Sequence, residues 1–131
     1  MKGRILVADS DRAFRTTIAA VLRANGYDVI DLANGFELLH VLQEEKEGHA
    51  GSSGFDLAIC DARLSGKTGL HVFSLLGNSP AIPPVVFTTT TQDETVLDEA
   101  HRLGALSVLE KPVDIDALLT LIGGLVARGC A

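Results

Sequence analysis

Tryptophan is absent and cysteine nearly so: only Cys60 and Cys130 occur in 131 residues. One cysteine lies in an apolar run and the other at the tail. They make neither a disulfide framework nor a metal-ligand spacing, and they suit a reducing compartment. Long apolar runs are missing too. No stretch reaches the roughly 18 residues of a membrane span. The run after Met1-Lys2-Gly3-Arg4 stops at Asp9, too short for a signal peptide. Positive charge is sparse and unclustered: 11 Lys+Arg stand against 17 Asp+Glu, for a net charge of −6. That balance excludes a basic footprint for nucleic acid. The expected location is cytoplasmic, with no membrane contact and no direct nucleic-acid partner.

Hydrophobic residues make up 47% and charged residues 21%, the balance of a chain with a packed core. Length fits one domain, 1–131. Apolar runs alternate with helix-like segments. Arg4–Ala8, Asp28–Leu32, Leu57–Cys60, Val85–Thr88 and Ser107–Glu110 read as strands. Three of them, at 4–8, 57–60 and 85–88, show no polar alternation, as parallel strands covered on both faces require. Residues 12–25 place Phe14, Ile18, Val21 and Leu22 on one helical face, with Asn25-Gly26 as the stop. Residues 35–47, 69–77, 92–103 and 115–127 are the other helices. Five βα units predict a doubly wound, three-layer α/β sandwich with right-handed crossovers. The Gly/Ser-rich stretch 48–54 reads as a flexible surface loop.

In such sheets ligands bind beyond the carboxyl ends of the strands. Those ends carry Asp9, Ser10 and Asp11, then Asp61 and Arg63, then Thr88 to Thr91, then Lys111-Pro112. Singly, each has a bland explanation. Asp11 is an N-cap for the helix at 12–25, Asp61 a turn residue, Thr88 to Thr91 part of a strand. Jointly they make a chemical site. Neighbouring carboxylates repel unless a cation sits among them, and a small oxygen cluster suits Mg²⁺. A lysine and a threonine hydroxyl beside it hold anionic phosphoryl oxygens. An aspartate there is a competent phosphoryl acceptor.

The stretches "ILVADSD", "DLAICDARLSGKTGL", "PPVVFTTTT" and "GALSVLEKPVD" resemble the receiver domain of bacterial two-component response regulators. The resemblance runs from Arg4 to about Val126. It implies a flavodoxin-like fold of the chemotaxis single-domain type, with a parallel sheet in the order 2-1-3-4-5 and five helices. It implies Asp61 as phosphoacceptor, with Thr89 and Lys111 gathering on the phosphoryl oxygens. Mg²⁺ would be held by Asp9, Asp61 and the backbone carbonyl of Arg63. Implied partners are a sensor histidine kinase or phosphotransfer protein, and a downstream protein or fused output domain. The segments at 92–103, 107–110 and 115–127 would form the signalling surface and a homodimer contact. The chain would be a phosphotransfer acceptor, not an enzyme, with at most slow self-dephosphorylation.

Several positions depart from that pattern. Ser10 stands where the family has a second acid, a direct metal ligand, so that ligand is weak or lost and Mg²⁺ is weakly bound. The Arg63 guanidinium is a candidate to lean into the acidic site in place of a cation. Ser65 replaces a common proline, and Val108 an aromatic switch residue. These departures favour a rival, a receiver-like binding module that works without phosphorylation. A second rival, a haloacid-dehalogenase-like phosphatase with Asp9 as nucleophile, is suggested by "DSDRA" but leaves Asp61 unexplained. "SGKTG" at 65–69 lacks the first glycine of a P-loop, since that position is Asp61. Off the main stripe of the last helix (Ile115, Leu118, Leu119, Ile122) lie Leu121 and Leu125. They mark either a partner surface or ordinary cover of a core helix.

Overall fold

The computed structural model describes residues 2–48, 54–90 and 94–129. Strands and helices alternate from the start: β1 (Arg4–Ala8), α1 (Arg12–Ala24), β2 (Asp28–Leu32), α2 (Gly35–Gly48), β3 (Leu57–Asp61), α3 (Gly69–Leu76), β4 (Val85–Thr89), α4 (Glu94–Arg102), β5 (Ser107–Glu110) and α5 (Ile115–Gly129). All strand pairs are parallel and the sheet order is β2-β1-β3-β4-β5. This is the doubly wound sandwich expected from the pattern, with the flavodoxin-like strand order that the resemblance implies. The central strands are buried on both faces, which is why their sequences lack alternation.

Each central strand splits its side chains between two cores. Leu6, Ala8, Ala58, Cys60, Val85 and Phe87 face the side that α2, α3 and α4 cover. Ile5, Val7, Leu57, Ile59 and Val86 face α1 and α5. This alternation decides which way each residue at the strand ends points.

Helix α1 is fixed locally. Asp11 is its N-cap, accepting from the Phe14 N–H at 3.2 Å. Ile18, Ala19 and Leu22 carry its buried face. Asn25 closes it, and Gly26 turns the chain at φ 93°, a conformation glycine tolerates best. Gly35 opens α2 where an added Cβ would strike the Lys67 carbonyl.

Two strand boundaries differ from expectation, and helix ends shift by a residue or two. Strands β3 and β4 each run one residue further, to Asp61 and Thr89, because Asp61 pairs with Thr88 and Thr89 with Glu110. Helix α4 is described from Glu94, and residues 49–53 of the Gly/Ser-rich loop lie outside the described residues. In α5, Leu118, Ile122 and Val126 are buried, and Leu121 and Leu125 are half-buried. The off-stripe leucines are therefore partly covered. The large hydrophobics exposed among the described residues are Phe36, Leu75, Leu97 and Leu106. No helix of the described residues is long and apolar enough to cross a membrane.

Ile59 is fully buried in the middle of the central strand. Ile59→Ala is expected to destabilise the fold by about 2–5 kcal/mol through lost burial and an unfilled cavity. Urea denaturation followed by circular dichroism measures it.

Candidate functional site

Parallel strands bring their C-terminal ends to one edge. Asp9 follows β1, Asp61 ends β3, Thr89 ends β4 and Lys111 follows β5. Three of these four side chains meet. The Lys111 ammonium lies 2.7 Å from Asp9 Oδ2 and 3.2 Å from Asp61 Oδ2. It also sits 4.6 Å from the centre of the Phe14 ring, a favourable cation–π placement.

Asp9 is 1% exposed, and its backbone and carboxylate are both tied down. Its Oδ1 accepts from the Asp11 N–H at 2.8 Å, and its carbonyl accepts from Arg15 Nη1 at 2.9 Å. Its own N–H donates to the Leu32 carbonyl. Arg15 is held in turn by Asp31, 3.3 Å away. Asp61 is more open, its side chain 16% exposed. Its Oδ1 accepts from the Arg63 N–H at 2.9 Å. Gly69 packs so closely beneath this turn that a Cβ would strike the Asp61 carbonyl and Cys60 Sγ.

The electrostatics follow from two carboxylates sharing one ammonium. Burial pushes Asp9 above the usual carboxylate range, and the hydrogen bonds from Lys111 and the Asp11 amide offset this only in part. For Lys111, burial would lower the pKa, but the hydrogen bond and charge of Asp9 and Asp61 outweigh it and raise the value. The two directions agree physically: the shared Lys111 cation is strongly held, while burial leaves Asp9 under-compensated beside a second negative charge. The Cys60 thiol is pushed well up by burial and by both aspartates, so it stays neutral.

Ser10 makes a different connection. Its Oγ accepts from the Ser65 N–H at 2.8 Å and donates to Ser65 Oγ at 3.0 Å. The Ser65 carbonyl accepts from the Gly35 N–H. So the hydroxyl latches the β1–α1 loop to the β3–α3 loop. Thr89 is buried, and alternation places it with Phe87 on the α4 side of the sheet. Its carbonyl accepts from the Lys111 N–H at 2.8 Å. Arg63 is exposed. Asp11 is the helix cap.

The donor set is compatible with Mg²⁺. Asp9 and Asp61 offer two carboxylates, and the Arg63 carbonyl and Ser10 hydroxyl are the neutral oxygens expected beside them. Mg²⁺ commonly binds one or two carboxylates and keeps several waters. No group of three or more His, Cys, Asp or Glu suited to a metal occurs among the described residues. Arg15 was not singled out by its spacing. It lies beside Phe14 on α1, and its partners, the Asp9 carbonyl and Asp31, are set by the fold and not by a local pattern.

A family model described as "Response regulator receiver domain" matches residues 5–123. The chain belongs to this family. Among curated relatives, the transcriptional regulatory protein ZraR of Escherichia coli is 35% identical over 115 residues, 87% of this chain and 24% of ZraR. This receiver thus spans about a quarter of that relative. Sporulation initiation phosphotransferase F of Bacillus subtilis is 25% identical over 90% of this chain and 89% of its own. Among solved structures, a CheY-like receiver domain from Methanospirillum hungatei superposes with a TM-score of 0.80 at 23% identity, over 97% of this chain and 95% of that one.

Removing the shared cation tests the electrostatics. Lys111→Met leaves two carboxylates facing each other with Asp9 buried, and is expected to lower stability at pH 7 by roughly 3 kcal/mol. Because the Asp9 pKa is raised in the fold, folded chains hold its proton more tightly than unfolded ones. Stability from that proton is present below the ordinary Asp value and lost as pH rises through the folded value. The deficit of the variant therefore narrows as pH falls into the acid range, which denaturation midpoints across pH measure.

Proposed function

We propose that this receiver accepts a phosphoryl group on Asp61 from a histidine kinase or phosphotransfer protein, and signals through the α4–β5–α5 surface. The observation that carries the reading is the Lys111 ammonium bridging Asp9 and Asp61. Of the two carboxylates, Asp61 is the accessible one. Asp9 is buried and tied on both oxygens, so it makes a poor nucleophile, which weighs against the phosphatase reading.

In the transfer, an Asp61 oxygen attacks phosphorus and an O–P bond forms. The P–N bond to the kinase histidine breaks, and its electron pair returns to the imidazole. Asp9, Asp61 and the Arg63 carbonyl would hold Mg²⁺, which when bound would supply positive charge to screen the donor's oxygens. Lys111, already beside Asp61, pairs with phosphoryl oxygens once the carboxylate is esterified. The Thr89 hydroxyl follows to the same oxygens, and α4 responds because Thr89 ends the strand that leads into it. Val108 has no ring to rotate, and it packs half-buried against the core. Exposed Leu97 and Leu106 supply the apolar part of the surface that a partner or a second copy reads. Residues 1–131 are read as a single receiver domain in the cytoplasm, alone or joined to an output domain.

One observation favours a second reading. The hydroxyl of Ser10 is spent on Ser65, and a receiver that binds Mg²⁺ poorly serves as an unphosphorylated binding module. Incubation with acetyl phosphate and Mg²⁺, followed by intact mass, separates the readings. A phosphoryl adduct is expected on the wild type and on Asp9→Asn, and none on Asp61→Asn. No adduct at high Mg²⁺ and no beryllofluoride binding supports the module. Ser10→Asp is expected to tighten Mg²⁺ binding by restoring the third acid.

A further inference from the structure

Thr88 is fully buried, and its hydroxyl has no hydrogen-bond partner among the described residues. Buried hydroxyls are nearly always paired, and an unpaired one is destabilising. A valine would fill the same space without that penalty. The position therefore asks for a reason.

Its place in the sheet supplies one. Thr88 pairs in register with Asp61 on one side and Leu109 on the other. Phe87 faces the α4 side and Val86 the α1–α5 side, so alternation turns Thr88 toward α1 and α5. Asp61 follows Cys60 and Asp9 follows Ala8, both on the α4 side, so both aspartates share the Thr88 face. Lys111 stands two residues beyond Leu109, on that face again. To reach Asp61 from β5, the Lys111 side chain must cross β4. The residue of β4 beneath that crossing is Thr88.

We propose that the Thr88 hydroxyl is a second seat for the Lys111 ammonium. In the arrangement described here both carboxylates hold the ammonium. A divalent cation that takes Asp9 and Asp61 competes with Lys111 for the same oxygens. The displaced ammonium is largely covered, its side chain 13% exposed, and needs an acceptor; the Thr88 hydroxyl, on the face that Lys111 crosses, is a buried group without a partner among the described residues. Thr88 is then a positioning residue that acts through Lys111, and it eases cation entry. The idea rests on Asp9 and Asp61 holding a cation, and not on phosphotransfer to Asp61.

The test is Mg²⁺ affinity without any phosphodonor, read by amide shifts in an NMR titration of the full chain. Thr88→Val is expected to weaken Mg²⁺ binding roughly fivefold, the loss of one hydrogen bond, while its thermal midpoint stays level or rises. Thr88→Ser is expected to restore the affinity. In a Lys111→Met background, Thr88→Val is expected to change the affinity by less than about twofold, because the group it serves is gone. If Thr88→Val does not fold, Thr88→Ala against Thr88→Ser makes the same comparison. Unchanged affinity in Thr88→Val, an equal loss in both backgrounds, or no Mg²⁺ binding by the wild type would each overturn the proposal. Acetyl phosphate labelling is a separate measurement, so failure here and failure of the phosphoacceptor reading are told apart.

Discussion

The bridge from the Lys111 ammonium to Asp9 and Asp61 is the interaction on which the site depends. Two carboxylates are brought within reach of one half-buried cation by three different strands. Without it, the C-terminal edge of the sheet would hold uncompensated negative charge, one of the charges almost fully out of water. The parallel sheet makes the bridge geometrically available. The alternation of side chains between two cores makes it specific, because only residues of one parity turn toward α1 and α5. Phe14 covers the ammonium from α1, so the first helix belongs to the site as much as the strands do.

Around that bridge the loops are held by short polar links. Arg15 ties the Asp9 carbonyl to Asp31 on the edge strand. Ser10 ties the first loop to Ser65, and Ser65 ties onward to the start of α2. Here neutral hydroxyls perform part of the positioning that an extra acid and a bound cation would otherwise share. The site is preorganised, but with less negative charge.

Much of this was legible along the chain. Unbroken apolar runs marked the buried strands, and the 3.6-residue stripe from Phe14 to Leu22 marked α1. The strand ends collected Asp9, Asp61, Thr89 and Lys111 because a parallel sheet must align them. Asp11 was readable as a cap from its position before the helix. Other features were not legible. The pairing of Asp61 with Thr88 lengthened β3 by a residue, and pairing is a property of two strands. Arg15 and Ser65 act on groups far from them in sequence, or across a turn, so no local pattern announces them. The half-buried state of Leu121 and Leu125 depended on how α5 lies on the sheet.

The sequence by itself determined the element order, the parallel sheet and the set of charged residues at its edge. Periodicity and burial are local consequences of residue type, so they can be read without a partner strand. Only the tertiary structure decided how those charges are shared. It put one ammonium between two aspartates, spent Ser10 on Ser65, and left the buried Thr88 hydroxyl without a partner among the described residues. Those outcomes turn on ångström distances between strands that are dozens of residues apart, and no spacing along the chain encodes them.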